Sequence, residues 1–131
     1  MNFLGCEDDL VYAEMFGEAL ELCGHKYVHT RDWFDFQEAF PKHRNVDAYL
    51  IDGKLPKGVD GNMIARFCKS AAVKAPVFFL SGDEEYVLQM RVVATKADGY
   101  FVKAQDKADV LVGKIEKAIL EWHKKHGQAK E

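Results

Sequence analysis

Residues 47–61 read DAYLIDGKLPKGVDG. Ala48, Tyr49, Leu50 and Ile51 form an unbroken apolar run, which marks a strand buried on both faces, and such strands occur mainly in parallel sheets covered by helices. Asp52 ends the run, and Gly53, Lys54 and Pro56 follow at once. A carboxylate so placed stands at the rim of the sheet. Whether it only caps a turn or carries chemistry depends on what the other strands bring to the same rim.

Outward from this stretch, short apolar runs alternate with longer amphipathic ones. Strands are expected near 2–6, 26–30, 47–52, 76–81 and 99–102, and helices near 9–23, 32–43, 61–72, 84–97 and 106–125. Gly24 follows the first helix, Pro41 lies near the end of the second, and Pro76 opens the fourth strand. In the first helix Ala13, Phe16, Leu20 and Cys23 recur at three- and four-residue spacing, one face to lay on a sheet. In the second, Trp33, Phe36 and Phe40 share a face that reads as core, and Phe34 falls off it. Five βα units predict an α/β, doubly wound, three-layer sandwich of the flavodoxin-like type, with a parallel five-stranded sheet of order 2-1-3-4-5 and right-handed crossovers. Ligands in that topology bind beyond the carboxyl ends of strands 1 and 3.

The 131 residues, 48% hydrophobic and 30% charged, suit one domain over 1–125 followed by a polar tail over 126–131. A formal net charge of −3 argues against a nucleic-acid surface or an anionic membrane as partner. Cys6, Cys23 and Cys68 are odd in number and far apart, so they read as small buried thiols in a reducing cytoplasm rather than a disulfide framework or a zinc site. No apolar stretch reaches the length of a membrane span, and MNFLGCEDD turns acidic where a signal peptide would be basic and then apolar. A cytoplasmic protein is expected. His25, His29, His123 and His126 lack acidic or cysteine partners at ligand spacing and read as solvated.

The rim collects a constellation. Strand 1 runs into Glu7, Asp8 and Asp9, strand 3 into Asp52, strand 4 into Ser81 and strand 5 into Lys103. Each has a structural use alone, as a turn former or a helix cap. Together they crowd carboxylates that repel unless a cation neutralises them, and a hard cation such as Mg²⁺ suits an all-oxygen site. A carboxylate nucleophile beside an ammonium, a hydroxyl and Mg²⁺ has the parts for phosphoryl transfer onto the aspartate.

At these residues the chain resembles the response-regulator receiver family of two-component signal transduction, over Asn2 to about Trp122. FLGCEDD is similar to the family's first strand and acid pair, LIDGKLPKGVDG to its D-x-x-L/M-P and D/N-G segment, VFFLSGD to its Ser/Thr strand, and ADGYFVKA to the stretch that ends in its lysine. The resemblance implies that Asp52 is the phosphoacceptor, that Asp8, Asp52 and the Lys54 backbone carbonyl ligate Mg²⁺, and that Glu7 acts through water. It implies that Ser81 and Lys103 bind the phosphoryl oxygens and that Tyr100 is the aromatic switch. A histidine kinase or phosphotransfer protein would donate the phosphoryl group, and a protein target would read a helix 4–strand 5–helix 5 face. The chain would then be a signalling phosphoprotein that assists its own phosphorylation and dephosphorylation rather than an enzyme. Helix 4 carries more apolar residues than one sheet-facing stripe needs, with Tyr86, Val87, Leu88, Met90, Val92 and Val93 spread around its circumference, so part of that surface is expected to be exposed.

The chain departs from the family pattern at three places. LPKGVDG is one residue longer than the usual loop, Lys54 puts a cation two residues after the acceptor, and Ala104 replaces a proline. Because a cis bond before alanine costs ~2.5–4 kcal/mol, the Lys103–Ala104 bond is expected to be trans. A dehalogenase-type phosphatase would need an Asp where Lys54 stands, and a flavin-binding flavodoxin would need a phosphate-cradling loop where CEDDLVYAE is acidic. The remaining alternative is a pseudo-receiver, an interaction module that signals without phosphate.

Overall fold

The computed structural model describes residues 1–55 and 60–126. Part of the expected longer loop and all but the first residue of the expected polar tail lie outside them. The elements alternate as β1 (Asn2–Cys6), α1 (Leu10–Leu22), β2 (Lys26–Thr30), α2 (Trp33–Ala39), β3 (Ala48–Ile51), α3 (Gly61–Ser70), β4 (Val77–Ser81), α4 (Glu85–Thr95), β5 (Gly99–Val102) and α5 (Ala108–Lys125). All strand pairs are parallel, in the order β2-β1-β3-β4-β5. The predicted topology is the one found.

The apolar run that decided the fold is buried along its whole length, as is VFFLS in β4. Alternate side chains feed two core layers. Leu4, Tyr49, Ile51 and Phe79 pack with Phe36 of α2, Ile64 of α3 and Leu88 of α4, whereas Phe3, Leu50, Phe78 and Leu80 pack with Phe16 and Leu20 of α1 and Leu111 and Ile115 of α5. Each such side chain contributes ~1.5–3 kcal/mol relative to exposure. The double covering explains why these strands need no polar alternation.

Helix boundaries shift where local chemistry intervenes. Helix α2 stops at Ala39 and gives way to a 3₁₀ turn over Phe40–Lys42, because Pro41 has no amide hydrogen for the α-helical ladder. Phe36 and Phe40 are buried as expected, and Phe34 is exposed. Cys23 departs from expectation: α1 ends at Leu22, Cys23 caps it outside the apolar stripe, and its thiol is exposed, whereas Cys6 and Cys68 are buried. Gly24 then turns the chain with φ of +83°, a left-handed conformation suited to glycine. Among the described residues no peptide bond is cis, so the Lys103–Ala104 bond is trans as expected. No described helix is long and apolar enough to cross a membrane.

Candidate functional site

All carboxyl strand ends of a parallel sheet share one edge, and here the chain leaves β1 toward α1 on one face and β3 toward α3 on the other. A crevice opens between those departures. Glu7, Asp8, Asp9, Asp52, Lys54, Ser81, Gly82, Asp83 and Lys103 line it. Every site residue expected from the sequence lies in this crevice except Tyr100.

Asp52 is nearly buried, and both its carboxylate oxygens are engaged. Oδ1 accepts from the Ser81 hydroxyl at 2.8 Å and from the Lys54 amide at 3.3 Å. Oδ2 lies 3.4 Å from Nζ of Lys103. Lys103 also pairs with Glu7 and rests its ammonium 4.4 Å from the ring centroid of Tyr12. One cation therefore serves two buried carboxylates over an aromatic face.

Glu7 is buried, takes the Asp9 amide on Oε2 at 3.0 Å, and has its carboxyl pushed up to about 7. Burial is the main cause; Lys103 pulls the value back, and the Asp52 charge raises it further. Asp8 remains exposed. Asp9 is the helix cap, its side chain accepting from the Tyr12 amide at 3.1 Å. Oxygen atoms of Glu7, Asp8 and Asp52 all lie within 4.8 Å of one another. Such an all-oxygen, carboxylate-rich set fits a hard divalent cation.

Two glycines let the chain close in on Asp52. A Cβ on Gly61 would lie 2.1 Å from the Asp52 carbonyl oxygen, so α3 can begin against that backbone only with glycine. A Cβ on Gly53 would lie 2.5 Å from Oδ2 of Asp83 and 2.6 Å from Nε of Arg91.

Asp83 and Arg91 were not legible as site residues. Asp83 is buried, accepts from Ser81 Oγ at 3.2 Å, and pairs with Arg91 Nε at 3.0 Å and with Lys54 Nζ at 3.4 Å. The Lys54 ammonium thus reaches the β4–α4 loop. The one available signal was an acid two residues after Ser81 in SGDEE, which resembles an ordinary helix start.

Tyr100 is half-buried on β5, outside the crevice, and its phenol donates to Glu85 Oε2 at 2.7 Å and accepts from Gln89 Nε2 at 3.3 Å. It is tied to α4, where Tyr86, Met90 and Val93 are 60%, 66% and 82% exposed. The expected apolar surplus is on the surface. The histidine reading needs correction: His25 is largely buried against Glu116 of α5, and His29 donates Nε2–H to the Glu7 carbonyl at 2.6 Å. His126 stacks on Trp122 and is exposed to solvent. His25 and Glu116 are 91 positions apart, so spacing along the chain could not pair them.

No protein-family model matches the chain, and no curated protein matches it in sequence. Solved structures do match in shape. A CheY-like response-regulator receiver domain protein from Methanospirillum hungatei superposes with a TM-score of 0.80 at 18% identity, covering 95% of this chain and 97% of its own. The fold is that of receiver domains. The same receiver fold recurs in the N-terminal domain of a response regulator/sensory box/GGDEF three-domain protein from Carboxydothermus hydrogenoformans, with TM-score 0.79, 22% identity, and coverage of 95% and 98%. It recurs again in the response regulator TrrA from Thermotoga maritima in complex with Mg²⁺-BeF, with TM-score 0.75, 23% identity, and coverage of 89% and 97%.

Proposed function

We propose that the chain is a cytoplasmic response-regulator receiver that accepts a phosphoryl group on Asp52 from a histidine kinase or phosphotransfer protein. The observation that carries this reading is the contact set of Asp52: Ser81 and the Lys54 amide on one oxygen, Lys103 near the other, with Glu7 and Asp8 alongside. Asp8, Asp52, the Lys54 carbonyl and, through water, Glu7 would hold Mg²⁺, which neutralises charge on the phosphoryl oxygens. The complex of TrrA with Mg²⁺-BeF supports that assignment by likeness of fold.

The Asp52 carboxylate attacks phosphorus as the bond from phosphorus to the donor's nitrogen or oxygen breaks, leaving an acyl phosphate on Asp52 and the electron pair on the donor. Lys103 and Ser81 supply an ammonium and a hydroxyl where negative charge gathers on the transferring group. Because these donors are already positioned, little reorganisation is needed during transfer. The output is an altered helix 4–strand 5–helix 5 face, where Tyr100 and the exposed apolar residues of α4 meet a protein target.

Acetyl phosphate with Mg²⁺ is expected to add one phosphoryl group, seen by intact mass, and Asp52→Asn to abolish it. An adduct that persists in Asp52→Asn overturns the assignment. No adduct on the unaltered chain from acetyl phosphate or a phosphorylated donor would favour a pseudo-receiver.

A further inference from the structure

Ser81 has one hydroxyl hydrogen and two carboxylates within reach. Its Oγ lies 2.8 Å from Asp52 Oδ1 and 3.2 Å from Asp83 Oδ2, so only one of them can receive the proton fully at a time. The Asp83 amide also donates to Oγ at 3.3 Å, fixing the hydroxyl beside Asp83. Asp83 is thus a second acceptor for the group that would bind a phosphoryl oxygen.

Asp83 is in turn held from α4. The side chains of Asp83 and Arg91 are 2% and 12% exposed, and the pair packs over Gly53, next to Asp52 in the chain. Arg91 Nη1 reaches across to Asp60, which caps α3, and to Asn62 Oδ1 at 2.9 Å. The guanidinium fork therefore joins the β4–α4 loop, α4 and the start of α3, with its Asp83 end buried and its Asp60 end at the surface. Lys54 adds little to Asp83, because its side chain is 80% exposed.

We infer that Asp83 and Arg91 are positioning residues that form a latch: Asp83 competes with the phosphoryl group for the Ser81 hydroxyl, and Arg91 neutralises Asp83 and ties its release to α4. The inference rests on the phosphoacceptor reading of Asp52. When Asp52 carries a phosphoryl group, Ser81 turns its proton to that group and leaves Asp83 to Arg91 and the exposed Lys54. Without Arg91, only the exposed Lys54 ammonium would offset the buried Asp83 charge that faces the incoming anion. The two residues therefore act on the same step with opposite sign.

Beryllofluoride titrated at saturating Mg²⁺, followed by amide resonances, tests this on the full chain. Asp83→Ala is expected to tighten beryllofluoride binding about fivefold, the weight of one net hydrogen bond, and Arg91→Met to weaken it by about as much. In the Asp83→Ala background, Arg91→Met is expected to have no further effect, because Arg91 acts through Asp83. A purely structural pair would weaken binding in both single variants. That result, unchanged binding in both, or a loss in Arg91→Met that persists without Asp83, overturns the latch. If Arg91→Met does not fold, Asp83→Asn, which removes the charge but keeps an acceptor, decides together with Asp83→Ala: tighter binding in Asp83→Ala than in Asp83→Asn supports the competing acceptor, and equal tightening in both, the mark of lost charge repulsion alone, overturns it. An unaltered chain that binds no beryllofluoride overturns the phosphoacceptor reading and the latch with it; binding that the variants leave untouched overturns the latch alone.

Discussion

The ammonium of Lys103 rests 4.4 Å from the ring centroid of Tyr12, which joins the end of β5 to the first turn of α1 across the crevice. The ring and the two carboxylates of Glu7 and Asp52 hold the charge from different sides. Lys103→Met is expected to slow phosphorylation of Asp52 about a hundredfold, as the loss of one preorganised donor does, while tightening Mg²⁺, which no longer competes with an ammonium. Tyr12→Leu keeps the charge and loses the ring, so its effect on rate is expected to be only about twofold to fivefold. Intact-mass time courses and Mg²⁺ titrations measure both. Equal rates in all three proteins would show that Lys103 plays no part in transfer.

Glu7 should make the metal-free protein less stable as pH rises. Its carboxyl is pushed up to about 7 from an ordinary 4.5, chiefly by burial. Between those values the folded chain keeps a proton that the unfolded chain has released, so folding is favoured at the acid end and this contribution is lost as pH rises through about 7. Melting temperatures taken without Mg²⁺ from about pH 5 to about pH 7.5 are expected to fall less steeply in Glu7→Gln, which does not titrate. Parallel curves for the two proteins would refute this.

Gly61→Ala tests the close approach of α3 to the end of β3. The new methyl group would sit 2.1 Å from the Asp52 carbonyl oxygen and 2.9 Å from the Gly53 Cα, and backbone cannot swing aside as a side chain can. A loss of about 1–3 kcal/mol in urea unfolding is expected, the usual cost of overpacking. Asp52 should also be phosphorylated more slowly, because the loop that carries it is displaced.

The Tyr100 phenol bonded to Glu85 gives the α4–β5 surface a readable state. Binding of beryllofluoride with Mg²⁺ is expected to change amide exchange across residues 82–104, through a shift in population rather than a new fold. Ser81→Ala should bind Mg²⁺ and lose that distant change. Exchange that alters only in the loops around Asp52 would separate phosphate acceptance from any output through α4.

Much of this architecture is legible in the amino-acid sequence. AYLI and VFFLS are apolar without alternation because both sheet faces are covered, and that burial leaves a mark in consecutive residues. Strand order followed from the number of βα units, and the strand ends then brought Glu7, Asp8, Asp52, Ser81 and Lys103 to one rim. Where an expectation missed, the cause was local or distant. Cys23 lies one residue past the end of α1 and so leaves the stripe its spacing suggested.

By itself, then, the sequence determined the layers, the order of the strands and the edge on which the acids, the hydroxyl and the lysine meet, because hydrophobic period and chain order are properties of neighbouring residues. Only the tertiary structure decided which charge answers which. Arg91 reaches Asp83, Asp60 and Asn62, His25 meets Glu116, and Lys103 lies over Tyr12. Those pairings join residues far apart in the chain or on different elements, and they depend on side-chain reach and on how burial raises the cost of an unpaired charge, neither of which the spacing of residues records.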